Sequence, residues 1–325
     1  MKLPVSYINA IAVSAQKTLI PSSKFNSMID APDADEALKI LVGGGFGGGV
    51  EINGAEDYEK LVNFERAKLK QFVIENALSK DLIYYAYMPA DCFNCDVAVR
   101  KLLLGIEGTR YSPDGITDVA EIENYVGGNE KAEVPDYVKR TVAGLRAARD
   151  EGEISGAKFT SVCLRSLYAE LSKIVRGSII KELIRAEIDA KNISVYFRSG
   201  NLKEAMSQYI EGGKISKEKL RLLNLDDETK IRREFLFTPC YDFINLCLIA
   251  RAEKRPFSEY EKAIDEIPLK RIYNRRFIPE GIVPMLTYYL YKVAEIRNVR
   301  TVMSGKLASA KPAQIAERLR FGYGG

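Results

Sequence analysis

Histidine is absent from all 325 residues, and so is tryptophan. The first absence removes a large body of chemistry. Ser-His-Asp and Cys-His nucleophile systems cannot be built, nor can H-E-x-x-H zinc proteases or any metal site with imidazole ligands. A general acid or base would have to be Asp, Glu, Lys, Tyr or Cys. Cysteine is sparse: Cys92, Cys95, Cys163, Cys240 and Cys247 are odd in number and sit among apolar residues. That usage predicts free thiols in a reducing compartment rather than a disulfide framework. Long apolar runs are also missing. The best candidate, GIVPMLTYYLY at 281–291, falls short of the roughly 18–20 residues that a membrane helix needs. The opening MKLPVSYINAIAVSAQ has one lysine and a polar-interrupted stretch, a poor pattern for a signal peptide.

Glycine is plentiful in one place. In LVGGGFGGGVE, Gly43, Gly45 and Gly48 satisfy G-x-G-x-x-G, the spacing of a dinucleotide loop. Such a loop must follow a strand and open a helix, so that phosphate meets the helix N-terminus. This tract follows ADEALKILV (34–42), an amphipathic helical pattern, and the next clear helix begins near Glu56. The nearest acid about 20 residues on, Glu65, lies mid-helix rather than at a strand end. The tract therefore predicts a helix terminator with a flexible connection, a hinge anchored by Phe46. A Walker A loop is absent as well: Gly213-Lys214 is followed by Ile215, and Gly305-Lys306 by Leu307. No nucleotide or other cofactor site is expected.

The chain reads as helix almost throughout. ADEALKILV follows Pro32 and Asp33, a helix start. Residues 56–78 place Tyr58, Leu61, Phe64, Leu69, Phe72 and Val73 at three- and four-residue spacing. Residues 160–188 predict one long amphipathic helix, and 216–225 and 311–321 behave alike. Connections are expected at 42–54, 105–115 and 125–136, with shorter breaks at 211–214 and 275–281. Alternating strand patterns are scarce, so the fold class is all-α.

A repeat is set into the helices. Asp91-Cys-Phe-Asn94-Cys95, Asp189-Ala-Lys-Asn192-Ile193 and Glu295-Ile-Arg-Asn298-Val299 share the form acid-x-x-Asn-apolar. With the acid as position zero, positions +1, +4, +7 and +8 are Cys92, Cys95, Ala98 and Val99, then Ala190, Ile193, Tyr196 and Phe197, then Ile296, Val299, Val302 and Met303. At about 100° per residue these share one face. Acid and Asn border that stripe one turn apart, where they can hydrogen-bond neighbouring segments while the stripe packs inward. Asp242-Phe-Ile-Asn245-Leu246 also fits, off-period. The repeat decides the reading of Cys92-x-x-Cys95: the thiols stand where other copies hold Ala, Ile and Val, so they are core residues rather than a zinc or redox pair.

Two charge features remain. Asp226-Asp227-Glu228 raises the aspartate-rich magnesium motif of all-α diphosphate enzymes, but Lys230 stands where a further carboxylate is wanted, and LNLDDET reads as a helix N-terminus. The charge is uneven: −5 over residues 1–150, +2 over 151–250 and +7 over 251–325. The basic fragments KIRRE (230–234), KRIYNRR (270–276) and ERLRFGY (317–323) are separated, which favours a solvated helical surface over nucleic-acid binding.

The ending AEIRNVRTVMSGKLASAKPAQIAERLRF (294–321) resembles that of the C-subunit family of vacuolar-type (archaeal-type) rotary ATPases, known in eukaryotes as the d subunit. The matching residues are Glu295, Asn298, Val299, Arg300, Gly305, Lys306, Leu307, Ile315, Arg318 and Leu319. EIDAKNISVYFR (187–198) is similar to that family's second repeat, and Tyr7-x-Asn9-Ala10 to its opening, with Ile11 in place of an arginine. The resemblance implies three similar helical units of about 100 residues (1–112, 113–215 and 216–325) in a pseudo-threefold, funnel-like arrangement. It implies a non-catalytic subunit on the cytoplasmic face of the membrane. Its partners would be the central-shaft subunits and the proteolipid rotor ring, and it would carry torque between them, with no catalytic, cofactor-binding or metal residue and no nucleic acid. A generic helical scaffold for another protein, or a magnesium-dependent diphosphate enzyme acting through Asp226 and Asp227, are the alternatives.

Overall fold

A computed structural model describes residues 4–256 and 258–322, with the side chain of Ser258 left aside. The described residues form sixteen α-helices, two short 3-10 turns and no strand. The chain is all-α, as its periodicity predicts, and it divides into two compact units.

One unit is Lys80–Arg255. It holds α5 (Lys80–Leu104), α6 (Val119–Val126), α7 (Asp136–Asp150), α8 (Gly156–Ile174), α9 (Ser178–Ser199), α10 (Leu202–Ser207), α11 (Lys217–Arg221), α12 (Glu228–Phe235) and α13 (Tyr241–Ala252). Helix α5 packs against α6, α7 and α8, and α9 against α10 and α13. The long helix expected over 160–188 is broken. Helix α8 stops at Ile174 and α9 starts at Ser178, with Gly177 at the N-cap. The break is held by Asp81, which accepts from the N–H of Arg176 at 3.0 Å and of Gly177 at 2.6 Å. A carboxylate brought from 95 residues away thus caps a helix start that local periodicity alone would run through.

The other unit joins both ends of the chain, Met1–Ser79 and Pro256–Gly325. Its helices are α1 (Val5–Gln16), α2 (Ser22–Asp30), α3 (Ala34–Gly43), α4 (Tyr58–Asn76), α14 (Ser258–Tyr273), α15 (Val283–Leu307) and α16 (Pro312–Arg318). Helix α15 is the centre: α1, α2, α3, α4, α14 and α16 all pack on it. Its buried residues run from Val283 to Met303 on every side, the pattern of a core helix. That accounts for the apolar run at 281–291. Among the described residues no helix is long and apolar enough to cross a membrane.

The glycine tract ends α3, as expected, but it is a packed turn rather than a slack connection. Gly45, Gly47, Gly48 and Gly49 have positive φ. A Cβ on Gly47 would lie 2.6 Å from Leu61 Cδ2, and one on Gly48 2.5 Å from Phe64 Cε1, both on α4. Phe46 is buried at 4% exposure, and the Gly47 N–H donates to Glu65 at 2.9 Å. The acid at mid-helix is what holds the loop down.

Candidate functional site

The three acid-x-x-Asn sequences fall on α5, α9 and α15, and each is a buried clamp on irregular backbone. In the first, the Asn94 amide brackets Ser112, its Nδ2 donating to the Ser112 carbonyl at 3.0 Å and its Oδ1 accepting from the Ser112 N–H at 2.8 Å. Asp91 accepts from the Thr117 N–H at 3.1 Å, from Thr117 Oγ1 at 3.0 Å and from the Tyr137 hydroxyl. In the second, Asn192 brackets Ile210 at 2.8 Å in both directions, while Asp189 accepts from the N–H groups of Lys214 at 3.0 Å and Ile215 at 2.9 Å. In the third, Asn298 brackets Arg320 at 3.0 and 2.8 Å, and Glu295 accepts from the Ile20 N–H at 2.6 Å. A primary amide offers donor and acceptor side by side, the complement of one residue's C=O and N–H, so asparagine suits the task. All six clamp side chains are at most 4% exposed.

The stripe beside each clamp packs inward as its spacing predicts: of the twelve positions only Phe197 is not buried. Cys92 and Cys95 are free thiols at 2% and 0% exposure. Burial pushes the Cys92 thiol up to about 12 and holds Cys95 well above its ordinary value, so neither supplies thiolate at neutral pH. The off-period copy differs. Asp242 is exposed, and Asn245 accepts from Arg232 at 2.6 Å instead of gripping backbone.

The third clamp carries an extra cation. Lys292 Nζ lies 2.5 Å from Glu295 Oε1 and 2.7 Å from Glu65 Oε2, 5.1 Å from the centre of the Phe46 ring. All three charged groups are buried. Burial raises the Glu295 pKa, partly offset by Lys292 and the Ile20 N–H. Burial pulls Lys292 down, but its two carboxylates outweigh that and leave it raised. The cluster ties four segments together: the glycine turn, the turn before α2, α4 and α15.

Other matching residues also have structural duties. Arg300 forks onto Glu59 at 2.9 and 2.8 Å. A Cβ on Gly305 would meet Ile315 Cγ1 at 2.7 Å, so glycine lets α16 fold back against α15. Lys306 donates to the Ala31 carbonyl, and Asn9 to the Pro279 carbonyl at 3.0 Å. Asp227 is the N-cap of α12, accepting from Thr229 and Lys230, and among the described residues no group of three His, Cys, Asp or Glu could hold a metal ion. Asp227 Oδ1 is thus engaged by the start of its own helix, the role that LNLDDET predicts. In the final quarter Arg297 and Arg320 pair with Asp265, and Lys270 with Glu266. Part of its positive charge is thus paired with carboxylates of the same unit. Tyr323 of the fragment 317–323 lies outside the described residues.

Sequence reasoning found the clamps but not what they grip. The signal was there: Tyr111 and Tyr209 stand 20 residues beyond their acids, Gly115 and Gly213 stand 24 beyond. A Cβ on Gly115 would lie 2.3 Å from Asp91 Oδ1, and one on Gly213 2.1 Å from Asp189 Oδ1. Only glycine lets the loop come down onto the carboxylate.

Residues 8–318 match the family model described as ATP synthase (C/AC39) subunit. The chain belongs to that family. It is 26% identical to the C subunit of the A-type ATP synthase of Haloferax volcanii over 293 residues, 83% of each chain. It is 22% identical to the protein of the same name from Methanocaldococcus jannaschii over 352 aligned positions, covering 97% of this chain and 86% of that one. Halobacterium salinarum has a protein of that name 24% identical over 146 residues, 44% of this chain and 42% of the other. The resemblance read from the C-terminal helix is borne out. Membership makes the chain a non-catalytic subunit of an ATP synthase complex.

Proposed function

We propose that the chain is the central-stalk subunit of a vacuolar-type rotary ATPase or ATP synthase, joining the central shaft to the membrane rotor ring and passing torque between them. The observation that carries this reading is the family match along nearly the whole chain, with relatives named as the C subunit of A-type ATP synthases covered over most of their length. The physical character of the fold supports it. A torque coupler has to resist shear between its helices, and buried amide and carboxylate clamps fix irregular segments that would otherwise deform. On this reading three similar helical units form a pseudo-threefold funnel at the cytoplasmic face, held to the membrane by protein partners. The chain binds no nucleotide itself.

The test is a pulldown of the tagged chain from detergent-solubilised membranes. Shaft subunits and a proteolipid ring should co-purify. A different set of partners, or ATP binding to the purified chain at micromolar affinity, would overturn the reading.

A further inference from the structure

In the first two copies, one continuous run of chain is gripped twice. The asparagine takes residue 112 or 210, and the acid takes residue 117 or 215, five residues later. The next residue then caps a helix. Asp118 accepts from the Ala120 N–H and opens α6, and Ser216 accepts from the Lys219 N–H and opens α11. In the third copy the asparagine takes Arg320, near the end of the chain, while the acid takes Ile20, near its beginning. The register beyond the acid's partner is nonetheless unchanged. Pro21 stands at the N-cap of α2, which starts at Ser22, two residues past Ile20. Helix α6 starts two residues past Thr117 and α11 two past Ile215. The far side matches too: α4 leads into α5 across a three-residue break, as α8 leads into α9.

We infer that the third copy of the repeat is split between the two ends of the chain, and that the junction of those ends is the seam at which this unit opens. Helices α15 and α16 supply the first part of the copy, and the run from residue 17 through α4 supplies the rest. The repeats then begin at α5, α9 and α15, and their boundaries move from 112 and 215 to the starts of those helices. Helix α1 stands outside the repeat and covers α15, with Gln16 donating to the Pro284 carbonyl at 2.9 Å.

The seam has a specific weakness and specific reinforcement. In the first two copies covalent chain holds the second gripped residue near the first, so release of one leaves the other at high effective concentration. In the third copy no such link exists, and the two ends are held by packing, α16 on α2 and both on α15. A cavity of about 320 Å³ lies where they meet, lined by Ser22, Phe25 and Asn26 of α2 together with Asn298, Arg320 and Phe321. The reinforcement lies on both sides. Glu295 is tied into the Lys292–Glu65 cluster. On the tail side, Arg320 reaches Asp265, the Phe321 N–H donates to Glu266 at 3.1 Å, and the Phe321 ring meets Tyr273 edge-on at 5.2 Å. Glutamate replaces aspartate at 295 because it must reach a separate segment and a lysine together.

Native-state hydrogen exchange on the full-length chain tests this. In the wild type, the amides of Ile20 and Arg320 should exchange through separate openings, with unequal protection and unequal denaturant sensitivity, because no short run of chain joins them. Asn298→Ala should speed exchange about tenfold in 319–322 while leaving 19–30 and 209–216 unchanged. Equal protection and one shared opening for Ile20 and Arg320 in the wild type, or an Asn298→Ala variant that frees 19–30 along with the tail, would overturn the inference. The wild-type measurement decides the matter even where a variant fails to fold.

Discussion

Asp189–Asn192 and Asp242–Asn245 have the same form and lie on helices that pack in the same unit, yet they do opposite things. The first pair is buried and grips Ile210, Lys214 and Ile215. The second leaves its aspartate in solvent and its asparagine on an arginine. The difference is not in the five residues themselves. Asp189 has Tyr209 and Gly213 at the distances that bring a loop onto it, while Asp242 has Lys262 and Glu266 at those distances. The repeat is a two-part device, and a helix motif without its loop is only a surface pattern.

The largest effect that sharpens this contrast should come from the third clamp. Lys292→Met leaves Glu65 and Glu295 buried together without their cation, and should cost about 3–5 kcal/mol in urea unfolding. A loss below about 1 kcal/mol would show that the cluster is not the fastening it looks like. Next comes the direct comparison. Asp189→Ala strands the buried Ile215 N–H and takes the acceptor from the half-buried Lys214 N–H, and should cost about 2–3 kcal/mol, whereas Asp242→Ala should stay within about 0.5 kcal/mol. Equal costs would erase the distinction between clamp and look-alike.

Gly213→Ala probes the loop half of the same device. Its Cβ would fall 2.1 Å from Asp189 Oδ1, and the loop must lift to make room. About 1–3 kcal/mol is expected, with exchange of the Ile215 amide rising in step.

The clamp also sets a pH signature. Burial raises the Glu295 pKa above its usual 4.5. Below that value both folded and unfolded states bind the proton, and stability is unaffected. As pH climbs from there through the raised folded value, the folded state holds a proton that the unfolded state has released, so stability falls. Above the raised value the penalty is constant. Glu295→Gln cannot titrate, so the stability difference, wild type minus variant, should decline across that window and then level off. A difference that rose with pH would mean that Lys292 and the Ile20 N–H outweigh burial.

How far these features were legible follows from where their partners lie. The all-α class, the buried stripes, the core thiols and the capping role of Asp227 are set within a few turns of one helix, and periodicity reads them. The break between α8 and α9 depends on Asp81, and the segments gripped in the first two copies depend on loops 18 to 26 residues away. Glu65 was visible only as an acid misplaced for dinucleotide binding; that it pairs with Lys292 and holds Gly47 needs two further segments in place. Local pattern names the helix face, and only the folded chain names what that face touches.

The glycine tract carries the same lesson at smaller scale and supplies the last test. Its glycines are not equivalent. Gly47 and Gly48 combine positive φ with close contact to α4, so alanine there meets both backbone strain and a clash. Gly43 is the final residue of α3, its φ lies outside the positive region and a Cβ there would meet nothing. Gly43→Ala should therefore stabilise the fold slightly, by up to about 1 kcal/mol, because alanine gives up less freedom on joining a helix. Gly48→Ala should destabilise it by more than that. Gain at one site and loss at the other would show that the tract is a turn whose individual positions are set by packing. Equal loss at both would instead mean that Gly43 is kept open for a close approach by another chain.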